Sequence, residues 1–183
     1  MTEIVELPDG ELASYQVAGR GIPALMFPGV TAAYTRRHSA LFPYVLRSYA
    51  IDLPCSGHST RQACFYELAR RSLGLGRVVV FGHSTGSAAA FTYAATYPQH
   101  TAACVVVAPA VEVRPVLRHI SCPTLVVSGE LDLESGPARA KPVADEIPGS
   151  EFVALPDCGR LPAIEAPDEY RQVVLDFLRA PRC

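Results

Sequence analysis

The sequence has no tryptophan, no Cys-x-x-Cys pair and no pair of histidines at zinc-ligand spacing. Its six cysteines, at 55, 64, 104, 122, 158 and 183, form no framework pattern. Neither a metal site nor a disulfide scaffold is expected, and no cofactor is implied. The cysteines read as reduced thiols of a cytoplasmic protein. Charge is also scarce: 16 Lys plus Arg face 18 Asp plus Glu, with no basic run or stripe. That removes the footprint of a nucleic-acid binder or of a protein drawn to an acidic membrane. Long apolar runs are missing too. The longest, Ala103 to Val111, is about half of the roughly 20 residues a spanning helix needs. Glu3, Glu6 and Asp9 occupy the stretch where a signal peptide needs a basic start and an apolar run, so export is not expected. No repeat, low-complexity tract or linker interrupts the chain. Residues 1–183 read as one domain, long enough to bury roughly 70% of its unfolded surface without a staple.

What is present is a series of apolar runs bounded by Gly and Pro: Leu12 to Val17, Ala24 to Phe27, Tyr49 to Leu53, Arg77 to Phe81, Ala103 to Ala108, Pro123 to Ser128 and Glu151 to Leu155. Several are continuous rather than alternating, as in strands covered on both faces of a mainly parallel sheet. Between them lie helical patterns: the Ala-rich Ser87 to Tyr97, the weaker Ala138 to Ile147 interrupted by Pro142, and Asp168 to Leu178. In the last, Tyr170, Val173, Val174, Phe177 and Leu178 form one apolar face, and Pro167 can start the helix. Alternating strands and helices predict an α/β fold.

The chemistry is concentrated in Val78 to Ser87, which reads strand, tight turn, helix. Gly82, His83, Ser84, Thr85 and Gly86 make a G-x-S-x-G pattern at that junction. It holds a serine on a strained turn, the glycines removing clashes, so that the hydroxyl projects above the sheet. The following helix start brings backbone N–H groups, including that of Thr85, beside the place where an oxyanion would develop.

This segment, with its strand before and helix after, resembles the α/β-hydrolase family of esterases, lipases, haloperoxidase-like enzymes and enol-lactonases. The resemblance extends over nearly the whole chain and implies an α/β-hydrolase core, a mostly parallel sheet flanked by helices. Pro28, Gly29 and Val30 after the strand Ala24 to Phe27 look like the family's oxyanion loop, with Pro28 where His is usual. On that reading Val30 supplies the second oxyanion N–H. Asp52 to Ser59 resembles the family's D-x-P-G-x-G-x-S loop, with Cys55 where Gly is usual. Cys122 to Asp132 resembles the strand that delivers the catalytic acid, which assigns that role to Asp132, with Glu112 as the alternative.

The resemblance breaks at the catalytic base. The family's histidine belongs in a G-x-G-H-x-P-type loop ahead of Glu, Pro and the terminal helix. Here that loop reads Pro156 to Pro167, and Arg160 stands in the histidine's place. A serine hydroxyl needs a base to take its proton, and a guanidinium has no acceptor. Losing the histidine of a serine protease costs on the order of 10⁶ in turnover, although oxyanion hole and binding still give roughly 10³ to 10⁴ over water. His58, in the loop after the fourth strand, is the plausible substitute base. His83 is expected to point away from the serine hydroxyl, in a packing or oxyanion-side role. His38, His100 and His119 read as surface residues. If Asp132 lies near Arg160, a bidentate carboxylate–guanidinium pair would fix the Arg head and aim its charge into the cleft.

Many relatives of this type carry a helical cap after the sixth strand. Here fourteen residues separate Ala108 from Pro123, too few for a lid, and Thr60 to Leu75 leaves room only for a brief helix. A cap domain is therefore expected to be absent and the site open, accepting bulky or carrier-bound acyl substrates or closed by a second copy or another partner. Three readings follow. The first is a serine hydrolase of esters, thioesters or lactones with Ser84 as nucleophile. The second is a binding or scaffold protein that kept the frame. The third is a lyase or cyclase in which Arg160 stabilises an anion.

Overall fold

The computed structural model describes residues 2–27, 29, 32–52, 59–109 and 114–180. Eight strands among them form one sheet: β1 (Thr2–Glu6), β2 (Leu12–Gly19), β3 (Ile22–Phe27), β4 (Leu46–Ile51), β5 (Val78–His83), β6 (Thr101–Val107), β7 (Thr124–Gly129) and β8 (Glu151–Leu155). Their spatial order is β1-β2-β4-β3-β5-β6-β7-β8, with β2 antiparallel to both of its neighbours, β1 and β4, and every other pairing parallel. Every residue of β5 and of β7 is buried, which explains their continuous apolar sequence. The edge strand β1 is mostly exposed and follows no apolar run.

The helices are α1 (Ala32–Ala40), α2 (Ser59–Ser72), α3 (Gly86–Thr96), α4 (Arg114–Leu117), α5 (Pro137–Asp145), α6 (Pro162–Glu165) and α7 (Pro167–Arg179). Successive strand residues point to opposite faces, so Val78 and Val80 join a core with α2, α3 and α5, while Val79 and Phe81 join a second core with α1 and α7. In α7 the buried residues are Tyr170, Val174, Leu175 and Phe177, one step round from the apolar face read from sequence, with Val173 and Leu178 half-buried at its margin. Helix α2 corrects the expectation of a brief segment: it has 14 residues, because the helix takes up almost all of Thr60 to Leu75 instead of sharing it with loops. Between β6 and β7 the described residues contain only the four-residue α4. Among the described residues no helix is long and apolar enough to cross a membrane.

Helix α2 carries a buried ion pair between Glu67 and Arg70, and α3 is tied to it through Tyr93. Glu67 accepts from Arg70 Nε and Nη2, both at 2.8 Å, and from Tyr93 Oη at 2.8 Å. Arg70 also donates to the carbonyls of Leu75 and Gly76. Burial alone would raise the Glu67 carboxyl, but the hydrogen bonds from Arg70 and Tyr93 outweigh it and hold the group below the usual carboxylate range. Its contribution to stability is therefore present above the unfolded-state value, near 4.3, and is lost as pH falls through the lower folded value. Glu67→Ala is expected to cost about 3–5 kcal/mol in urea unfolding, because Arg70 would be left buried without its partner. An unchanged midpoint would show that water replaces the carboxylate.

Candidate active site

The elbow forms where β5 runs directly into α3. Ser84 is held at φ 50°, a left-handed conformation that costs a non-glycine residue of order 1–3 kcal/mol, and its N–H donates to Val107 O at 3.0 Å. Two glycines make the turn possible. A Cβ on Gly82 would sit 2.8 Å from Ala90 Cβ and 2.8 Å from Ser87 Cα, so α3 rests on the strand with no room for a side chain. A Cβ on Gly29 would lie 1.8 Å from His83 O and 2.8 Å from the backbone nitrogens of Thr85 and Gly86. Gly29 thus presses against the elbow amides, where the sequence places the oxyanion pocket. Val30, its expected second donor, lies outside the described residues, as do Pro28, Cys55, His58 and Glu112.

Asp132 is buried in the turn after β7. Its Oδ1 accepts from the N–H groups of Glu134 (2.9 Å) and Ser135 (3.0 Å), while its buried Oδ2 has no partner among the described residues. The turn after β8 is stitched to it: Leu131 N–H donates to Cys158 O at 2.8 Å and Glu130 N–H to Leu155 O at 2.9 Å. A Cβ on Gly129 would fall 2.1 Å from Gly159 O, so the two turns touch through bare backbone.

Arg160 projects from that second turn onto the serine. Its Nη2 donates to Ser84 Oγ at 2.5 Å, and its Nη1 pairs with the Glu134 carboxylate. This corrects the expected partner. Arg160 pairs with Glu134 rather than Asp132, because Asp132 spends one oxygen on its own turn, whereas Glu134, two residues on, is exposed and free to reach the guanidinium. Ser84 itself is only 3% exposed, its hydroxyl lying under the arginine head. Among the described residues no carboxylate or imidazole accepts the Ser84 proton.

The backbone around Arg160 is held on both sides. Glu165 accepts from Gly159 N–H (2.7 Å) and Leu161 N–H (2.8 Å), and His83 Nε2 lies 2.9 Å from Arg160 O. His83 therefore does face away from the serine hydroxyl, toward the Arg160 peptide. His38 is corrected outright: it is buried, 3% exposed, with Nε2 2.8 Å from Tyr170 Oη. A helix end with Arg37 and His38 reads as polar, but α1 turns this ring onto Phe42, Phe81 and Tyr170. His100 is half-buried, 3.7 Å from Glu67, and His119 is exposed. Sequence reasoning missed Glu134, whose signal was its place two residues beyond Asp132, and the bridging role of Glu165. No group of three or more His, Cys, Asp or Glu among the described residues is placed to hold a metal ion.

The site thus unites Ser84, Thr85, Asp132 and Arg160 at the carboxyl end of the parallel strands, and the likenesses to known proteins agree with that frame. A thermophilic esterase from Thermogutta terrifontis superposes with a TM-score of 0.83 at 19% identity, covering 98% of each chain. An α/β-fold hydrolase from Bacillus anthracis gives 0.87 at 14%, covering 97% of this chain and 99% of that one. A Mycobacterium tuberculosis protein, BpoC, a non-heme bromoperoxidase by name, is 31% identical over 70 residues, which is 38% of this chain and 27% of that protein. The alpha/beta hydrolase fold family matches residues 27–121, more than half of the sequence. The chain belongs to the alpha/beta hydrolase fold family.

Proposed function

We propose that the chain acts on an ester, thioester or lactone through Ser84, and that Arg160 serves as an electrostatic partner where relatives use a base. The observation that carries this is the 2.5 Å contact from Arg160 Nη2 to a serine oxygen kept on a strained backbone. A guanidinium that donates to Oγ favours the alkoxide and the tetrahedral oxyanion over the neutral hydroxyl, although it takes no proton. The serine proton then passes to solvent, which makes acylation slow and favours activated acyl groups. Thr85 N–H and Val30 N–H serve as oxyanion donors, and Asp132 retains the acid position. Leu131 and Leu133, both exposed on either side of Asp132, offer apolar surface to a small-molecule or carrier-bound acyl chain in the cytoplasm.

A second reading, a binding protein on a disarmed frame, is favoured by the cover over Ser84 and by the lack of an acceptor among the described residues. Intact-mass analysis after treatment with a fluorophosphonate separates the two. One adduct per chain, absent in Ser84→Ala, is expected. No adduct under prolonged exposure would sink the nucleophile reading and leave binding.

A further inference from the structure

Behind the elbow, between the sheet and helices α1 and α7, lies a partly open cavity of about 20 Å³, room for a single water. Met26, Phe81 and Val107 form apolar walls, and the rings of His38, His83 and Tyr170 line the same space. Two buried ring nitrogens here have no partner among the described residues, His38 Nδ1 and His83 Nδ1. Leaving either so would forfeit a hydrogen bond that water supplies in the unfolded chain, so a partner is called for.

The hydrogen-bond directions can be derived. Arg160 O is an acceptor only, so His83 Nε2 carries the proton. Burial holds both imidazoles below their ordinary value, His38 pushed down to about 3 with His83 adding to the effect, so both rings are neutral near pH 7. His83 Nδ1 is then an acceptor. A water donating to it can either accept from His38 Nδ1–H or give its second proton to that nitrogen, and the first arrangement makes every bond run one way. His38 Nε2 is then the acceptor for the Tyr170 hydroxyl 2.8 Å away.

We propose that the cavity holds one water bridging His38 Nδ1–H to His83 Nδ1, and that the chain Tyr170–His38–water–His83 holds the Arg160 peptide so that its guanidinium meets Ser84. Every donor in this chain points the same way, toward Arg160 O, and each bond polarises the next. His83 is on this account a positioning residue acting through Arg160, and Glu165 secures the N–H groups on either side. The inference relies on the function proposed above only for why Arg160 must meet Ser84; the arrangement itself is read without any catalysis.

The test is ¹⁵N NMR of the imidazole rings and of the Arg160 side chain, in the natural protein and in His83→Gln and His83→Phe. Expected are a proton on Nε2 of His83 and on Nδ1 of His38. The Arg160 Nε–H resonance is expected to be sharp in the natural protein. It should stay sharp in His83→Gln, whose amide still reaches Arg160 O, and broaden in His83→Phe. A proton on Nε2 of His38 overturns the one-way chain, because the water would then donate to both rings. An unchanged Arg160 resonance in a folded His83→Phe overturns the positioning role. Should neither variant fold, the tautomers of the natural protein still decide. The fluorophosphonate experiment reports on Ser84 separately, so failure of one reading is not failure of the other.

Discussion

Arg160→His is expected to raise the rate of Ser84 acylation by an activated ester by about 10²- to 10³-fold, within the roughly 10² to 10⁴ that a positioned general base contributes. Asp132 is positioned to orient such a base. Its Oδ2 is buried with no partner among the described residues, an acceptor left over in a turn that otherwise satisfies its own hydrogen bonds. An imidazole from the neighbouring turn can donate Nδ1–H to that oxygen and turn its other nitrogen to Ser84, and the two turns are already locked by Leu131 N–H to Cys158 O. The gain should increase as pH rises through the usual histidine range, near 6.5, because only the neutral ring accepts a proton. Arg160→Gln is the control: it removes the charge without adding a base and should show no such pH dependence. A folded Arg160→His variant that acylates no faster than Arg160→Gln would show that Asp132 does not orient a base in this frame.

Gly29→Ala is expected to have the largest effect on the fold around the site. The added methyl would fall 1.8 Å from His83 O and 2.8 Å from the Thr85 and Gly86 nitrogens, all main-chain atoms, so no side chain can turn aside to admit it. Overpacking of this kind costs typically 1–3 kcal/mol and more where backbone must move, so a loss of about 3 kcal/mol is expected in urea unfolding. The displaced atoms carry the Thr85 amide and Ser84 itself. A shift of about 1 Å in such positions costs on the order of 10² in rate, and the fluorophosphonate reaction should slow by that factor. A variant with natural stability and natural labelling would mean that Gly29 does not rest on the elbow.

Parts of this site were legible in the chain as written. Gly82, Ser84 and Gly86 announce the elbow because the turn is local: strand, strained residue and helix start lie within a few positions, and the glycines mark the places where side chains do not fit. The continuous runs of β5, β6 and β7 announce a doubly covered sheet for the same reason. Arg160 is likewise a one-dimensional fact, and a guanidinium already excludes a base at that position. By contrast, β1 and α1 carry weak signals. The first is a mostly exposed edge strand, and the second has Arg36, Arg37 and His38 in its sequence although Tyr34 and His38 are buried.

The sequence by itself thus determined the frame, the position of the elbow serine and the absence of a base at 160, since each depends on residues close together along the chain. Only the tertiary structure decided the pairings. Arg160 meets Ser84 across 76 positions, and it takes Glu134 rather than Asp132 as its carboxylate. His38 meets Tyr170 across 132 positions and leaves the surface to do so. Such contacts arise because the parallel sheet gathers the ends of strands far apart in sequence at one edge. Which of several nearby groups then pairs is settled by side-chain reach and by the hydrogen bonds each turn has already made for itself.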